Sequence, residues 1–274
     1  MLSKIFKRAS QLAPLQPGRL RRASVTVNGT RLRRFAHGGN AAYRSLEELL
    51  GESIPAQRYR SMDPMTLVKD LVPTSGAYRT LDIGCGNAKT RSAFKGLNDD
   101  LVWQGIEIAE TYNISDIADL PDGVQIYDGV NIPFEEGHFD LCFSGQVFEH
   151  VRHPEDLLDE VRRVLKPGRH FVGSLSGGEP YHWHSLFNFT ALGWKTVLED
   201  HGFKLRALYS GIDALTLLLH HWSENRKDMG TYFRDPILID ALAQEKVSGA
   251  EAIRQENALK LAFAGHLVFD AERI

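Results

Sequence analysis

Apolar and polar positions along this chain follow two alternating periods. From residue 78 onward, short apolar runs of strand length are separated by stretches with helical spacing. The runs 79–83, 101–108, 124–127, 139–144, 170–175 and 203–209 predict six strands, and 261–270 predicts a last one. Between the fourth and fifth, Pro154 to Leu165 predicts a helix that opens on a proline and two acids and stops at Lys166-Pro167-Gly168. Thr190 to Asp200 predicts another, with Thr190 as N-cap and Gly202 as its stop. Strands alternating with helices imply a mostly parallel sheet covered on both faces, the doubly wound α/β class.

Two stretches stand outside this alternation. Residues 211–258 form a mainly helical insertion of mixed charge. Residues 1–60 form an N-terminal extension, leaving 61–274 as the main domain. In the extension Leu2, Ile5, Phe6, Ala9 and Leu12 fall on one face of a short helix that ends at Pro14 and Pro17.

Charge sharpens the contrast. The net charge is −3, yet ten Lys and Arg precede the first acid, Glu47, leaving 22 cations against 35 acids in the rest, a balance of −13. Such an arm suits an anionic surface, an organelle address or the chain's own acidic body. With 43% hydrophobic and 24% charged residues the composition is that of an ordinary globular protein. No apolar run approaches the roughly 20 residues of a membrane span. Cys85 and Cys142 lie in or beside apolar runs, which predicts reduced, buried thiols rather than a disulfide framework or a zinc site. A cytoplasmic protein, with peripheral membrane contact through the basic arm, is the expectation.

The chemistry centres on Leu81-Asp82-Ile83-Gly84-Cys85-Gly86. Glycines after an apolar strand and before a helix let the backbone turn sharply and approach a ligand. The dinucleotide pattern G-x-G-x-x-G is incomplete, since Lys89 holds the third glycine's place, which argues against a nicotinamide enzyme. Three acids close predicted strands or their loops: Asp82, then Glu107 about twenty residues after the glycines, then Asp128. Open α/β sheets bind ligands at that edge, and a carboxylate at position 107 is placed to accept ribose hydroxyls. Separate carboxylates suit a cationic nucleoside better than a pyrophosphate.

Leu81–Gly86, Asp128 with Ile132-Pro133-Phe134, Phe139-Asp140, Phe148-Glu149-His150-Val151 and Arg163-Val164-Leu165-Lys166-Pro167-Gly168 resemble the successive motifs of class I methyltransferases, with the type 11 family the closest subgroup. The likeness covers roughly residues 79–210. Arg169 departs from it, replacing a second glycine after Lys-Pro-Gly. The resemblance implies a Rossmann-like sheet of seven strands, the last antiparallel, and S-adenosylmethionine as cofactor. It implies that Asp82, Gly84, Cys85 and Gly86 line the methionine end, that Glu107 and Ile108 hold the ribose side, that Asp128 and Gly129 face the adenine, and that Ser144 and Gln146 border the cofactor.

Transfer to a hydroxyl needs a base, and histidine suits neutral pH. His182 and His184 lie in the loop after the fifth strand, and His150 follows the fourth; all three are candidates. No metal site is expected: ubiquinone-pathway O-methyltransferases carry Glu-x-x-Glu-His here, and Gln146 occupies the first acid's position. The stretch 181–203 is similar to type 11 enzymes of polysaccharide synthesis, which implies a sugar or glycan hydroxyl as acceptor. N- or C-methylation of a small molecule and a non-catalytic cofactor-binding role stand as alternatives. Nucleic acid is not an expected partner, because the body is acidic and Ser144-Gly145-Gln146 stands in place of a base-methylating Asn-Pro-Pro-Tyr.

Overall fold

A computed structural model describes residues 26–27, 30–31, 41–112, 120–222, 236 and 249–274. Strands β1 (Thr26–Val27) and β2 (Thr30–Arg31) pair with each other. Helices α1 (Ala41–Leu50) and α2 (Pro64–Leu71) precede the main sheet. Then come β3 (Tyr78–Ile83), α3 (Thr90–Lys95), β4 (Leu101–Ile108), α4 (Ala109–Tyr112), β5 (Val124–Tyr127), β6 (Phe139–Gly145), α5 (Pro154–Val164) and β7 (Leu165–Ser176). The chain finishes with α6 (Ala191–Asp200), β8 (Phe203–Ser210), α7 (Ala214–Trp222), α8 (Ala250–Ala262) and β9 (His266–Arg273).

The seven strands of the main sheet run in the order β5-β4-β3-β6-β7-β9-β8. All neighbours are parallel except β9, which lies antiparallel between β7 and β8. This is the predicted doubly wound sheet with a final antiparallel strand. The order reverses between β3 and β6, so the C-terminal ends of those strands form the crevice in which such sheets bind ligands.

Each element follows from its sequence. The β6 stretch is buried from Phe139 to Ser144, as a central parallel strand must be, with Leu141 and Phe143 in one core cluster and Phe139 and Cys142 in the other. Helix α5 turns Leu157, Leu158, Val161 and Val164 to the core and closes Glu160 onto Arg163 outside. The Thr190 hydroxyl caps α6 by accepting from the Gly193 amide at 3.0 Å. On one side of the sheet, Trp194 sits fully buried among Phe148, Phe189 and Phe269, with ring centroids 5.1–5.3 Å apart. On the other, Phe94 meets Phe143 edge to face at 5.6 Å.

Two predicted boundaries move. The last strand spans 266–273 rather than 261–270, because the apolar residues up to Leu261 are the buried end of α8. A short apolar run does not by itself distinguish strand from buried helix. The fifth strand begins earlier than predicted: Leu165 already pairs with Phe139, and a register shift absorbs the Lys-Pro-Gly turn before Leu141 meets His170.

Within the stretch read as an extension, Leu50 and Ile54 belong to the core and the Ser53 hydroxyl donates to the Leu205 carbonyl at 3.1 Å. The amphipathic stretch 2–12 and most of the insertion, apart from α7 and the start of α8, lie outside the described residues. No described helix is long and apolar enough to cross a membrane.

Candidate active site

The glycine loop leaves the C-terminal end of β3. Gly84 and Gly86 have φ of +65° and +52°, a region that disfavours side chains. A Cβ on Gly84 would stand 2.4 Å from Cγ2 of Val147, whereas a Cβ on Gly86 would meet nothing within 4 Å. The first glycine is therefore required by packing, and the second leaves open space over the backbone. Cys85 between them is buried.

Strand register sets the acids. Asp82 pairs across from Gly105, Glu107 from Ile126, and Ile108 from Tyr127, so Asp82, Glu107 and Asp128 leave three neighbouring strands at one edge. The Glu107 carboxylate is buried and already engaged: Oε2 accepts from the Gly86 amide at 2.8 Å and Oε1 from the Ile108 amide at 3.0 Å. Asp82 is buried too and accepts from the Thr90 hydroxyl at the start of α3. Burial pushes its carboxyl up to about 7, with the Thr90 bond pulling the other way.

Asp128 does different work. It is exposed, and its carboxylate accepts from the Val130 amide at 2.9 Å, the Asn131 amide at 2.6 Å and the Asn131 side chain at 2.5 Å. Those bonds, the Asn131 side chain first, lower its pKa. It shapes a turn that presents Gly129, where a Cβ would lie 3.5 Å from Ile108.

A second set of groups lies beside this loop. Val147, the residue against Gly84, opens the turn that carries Glu149 and His150. Ser144 is fully buried in the strand that leads there. The Gln146 amide is satisfied with its oxygen accepting from Ser174 Oγ at 3.0 Å and its nitrogen donating to Glu149 Oε1 at 2.9 Å. The loop after β7 folds over this turn, because the Leu186 and Phe187 amides donate to the Glu149 carbonyl at 2.7 and 3.1 Å. That fold brings the His182 ring to 5.2 Å from the His150 ring. The His184 side chain is exposed.

The sequence gives little sign of two more members, Glu179 and His266. His266 begins β9 directly across from Ser176, and its Nε2 lies 2.9 Å from Glu179 Oε2. A histidine at the head of the last strand was the available signal, but only the sheet order assigns it a neighbour. A cavity of about 390 Å³, lined by Asp63, Ser174, Gly211 and His266 among others, opens here.

Backbone strain marks the same region. Among the described residues, the only non-glycine positions with positive φ are Ala88, Gln146, Trp183 and His184. All four lie in the glycine loop, at the end of β6 or in the overlying loop. Such conformations cost of order 1–3 kcal/mol each and gather at functional sites.

The sheet order is that of the Rossmann-like methyltransferase fold, with the bare glycine loop and the buried Glu107 carboxylate at its ligand-binding edge. Residues 81–173 match the family described as the methyltransferase domain. The chain is 30% identical over 122 residues to a tRNA (carboxymethyluridine(34)-5-O)-methyltransferase of Arabidopsis thaliana, covering 43% of this chain and 29% of that protein. It is 29% identical over 105 residues to the 27-O-demethylrifamycin SV methyltransferase of Amycolatopsis mediterranei (strain S699), covering 36% and 38%. The chain thus spans less than half the length of these curated relatives. A solved S-adenosylmethionine-dependent methyltransferase from Aquifex aeolicus aligns with a TM-score of 0.44 and 18% identity, covering 62% of this chain and 92% of that one.

The residues present fit that cofactor: open space above Gly86, a buried carboxylate at Glu107 on the same sheet edge, and a buried acid at Asp82 for the positive charge. Asp82 leads to a pH prediction. Its folded pKa of about 7 lies above the ordinary 3.8, so the fold holds an extra proton between these values and loses stability as pH rises through that window. A bound cation offsets that cost. Affinity for S-adenosylmethionine should therefore strengthen as pH rises through about 7, and Asp82→Asn should flatten the profile. Calorimetric titrations of both proteins between about pH 6 and 8 check this, and equal slopes would refute it.

Proposed function

We propose that this protein methylates a hydroxyl oxygen, with S-adenosylmethionine as donor and a sugar or glycan of cell-surface polysaccharide synthesis as acceptor. One observation carries the reading: a cluster of Glu149, Glu179, His150, His182 and His266 stands against the glycine loop through the Gly84–Val147 contact. When bound, S-adenosylmethionine supplies an already activated methyl group. The protein's task is then alignment, for which about 7–11 kcal/mol is available in favourable cases, and removal of the acceptor proton. His150 and His182 are the candidate bases; burial first, then the neighbouring His182, keeps the His150 pKa low and the ring neutral.

Two further observations support a hydroxylated acceptor. Both named relatives are, by their names, O-methyltransferases. On the loop over the cluster, Tyr181 and Trp183 are 74% and 84% exposed, offering flat aromatic faces to a sugar ring. Peripheral membrane contact through residues 1–34 is part of the same proposal.

The test begins with calorimetric titration of S-adenosylmethionine and of NAD, the first expected to bind and the second not. Incubation with methyl-labelled cofactor and a panel of sugars, polyols and amines follows, with the labelled product resolved by mass spectrometry. Label on oxygen supports the reading. Label confined to nitrogen or carbon, with the rate unaffected by His182→Ala, overturns the acceptor class, and binding without turnover on any acceptor favours a non-catalytic role.

A further inference from the structure

The two acids of the cluster have opposite surroundings. Glu149 is fully buried, and its Oε2 has no hydrogen-bond partner. Glu179 has one oxygen, Oε2, on which several groups converge. The Ser176 hydroxyl donates to it at 2.8 Å, His266 Nε2 lies at 2.9 Å, and His182 Nδ1 lies at 3.7 Å. Ser176 has a single proton, and its oxygen also stands 3.2 Å from Glu149 Oε1. With that proton on the nearer acid, Glu179, a protonated Glu149 completes the contact by donating to Ser176.

The electrostatics agree with this order. Burial raises the Glu149 pKa. At Glu179 burial pulls upward as well, but the bonds from His266 and Ser176 win and bring it below the usual carboxylate range. Paired groups pushed apart in this way mark separate acid and base roles.

The histidine tautomers follow from the partners alone. His182 Nδ1 faces the Pro180 carbonyl at 3.2 Å and the Glu179 carboxylate, both acceptors, so Nδ1 carries the hydrogen and Nε2 keeps its lone pair. His266 Nε2 faces the same carboxylate at 2.9 Å and the Gln146 amide nitrogen at 3.3 Å; the nearer, charged acceptor takes its hydrogen. His182 is about four-fifths buried, its position fixed by the Ser185 amide donating to the His182 carbonyl at 2.7 Å.

We propose that Glu179 is the positioning residue of this site. Its shared oxygen takes the hydrogen of His266 and, from 3.7 Å, adds its charge to the Pro180 carbonyl bond that holds the hydrogen on His182 Nδ1, which leaves His182 Nε2 as the proton acceptor. This deepens the hydroxyl-transfer reading and rests on it for the catalytic role alone; the tautomer assignment stands without it. In the transfer step, the acceptor oxygen forms its bond to the methyl carbon as its proton moves to His182 Nε2. The electron pair of the breaking carbon–sulfur bond leaves with sulfur. Ionised Glu179 then balances the imidazolium, the part played by the acid in a base–orienter pair.

Two-bond proton–nitrogen NMR correlations on the full chain read which ring nitrogen bears the hydrogen. The expected result is Nδ1–H for His182 and Nε2–H for His266, with both preferences weakened in Glu179→Gln and retained in Glu179→Asp. Once an acceptor is in hand, Glu179→Gln should lower kcat about 10²–10⁴-fold, with cofactor affinity unchanged and partial recovery in Glu179→Asp. An Nε2–H tautomer at His182, or one that ignores Glu179→Gln, overturns the inference even if methyl transfer is confirmed. Failure of S-adenosylmethionine to bind sinks the functional reading instead and leaves the tautomer result standing. Glu149, His150 and His182 also bring one potential ligand atom each within 4.8 Å of one another. Activity lost to a chelator and restored by a divalent cation would make His182 a metal ligand and overturn its role as base.

Discussion

Glu107→Ala is expected to weaken S-adenosylmethionine binding by at least about 100-fold. Hydrogen bonds to a charged group contribute roughly 1.5–3 kcal/mol each, and a bound ribose would offer two hydroxyls to this carboxylate. The combined loss of about 3–6 kcal/mol corresponds to two to four powers of ten. The substitution also frees the Gly86 and Ile108 amides, which Glu107 holds at 2.8 and 3.0 Å, so part of the effect would come through a loosened glycine loop. Glu107→Gln separates these contributions, because its amide oxygen still accepts from one backbone amide while the charge is gone. It should fall between wild type and the alanine variant. Calorimetric titration reads both, alongside thermal unfolding to confirm the fold. An alanine variant that binds like wild type would remove Glu107 from the cofactor site.

Trp194→Ala carries the largest expected cost in stability, about 3–5 kcal/mol. The indole is fully buried, and the rings of Phe148, Phe189 and Phe269 pack around it. Those three come from separate parts of the chain, so collapse into the cavity would have to move the turn after β6, the loop before α6 and strand β9 together. For a domain of this size that loss lowers the melting temperature by very roughly 10 °C. Denaturant unfolding with an unchanged slope is the direct measure. A loss below about 1 kcal/mol would mean that the neighbours refill the space. Because Phe148 immediately precedes Glu149 and His150, the same variant should also loosen the histidine cluster.

The grouping of the glycine loop and its acids at one sheet edge was legible in the sequence because its information is local. Asp82, Gly84 and Gly86 occupy one strand-to-helix turn. Glu107 ends the next strand, whose length is written in its apolar run. In parallel α/β units, strand ends fall on one edge whatever the loops do, so spacing along the chain converts directly into proximity. Asp128 shows where that logic thins. Its position at the edge was predictable, but its three bonds to the Val130–Asn131 turn depend on loop geometry that no period encodes.

The acceptor half was much less legible. His150 and His182 are 32 positions apart, and their contact depends on the loop amides that bind the Glu149 carbonyl. His184, an equally good candidate by sequence, turns to solvent two residues later. Glu179 and His266 are 87 positions apart and bond only because β9 inserts antiparallel between β7 and β8, setting His266 opposite Ser176.

The sequence by itself thus determined the class of sheet, the glycine turn and the acids at the strand ends, since each follows from hydrophobic period and backbone freedom over a few residues. Only the tertiary structure decided which acid is fully buried, which groups converge on the Glu179 carboxylate and which acceptor each histidine faces. Those properties belong to burial and to partners, and partners brought in by an antiparallel insertion leave no trace in local spacing.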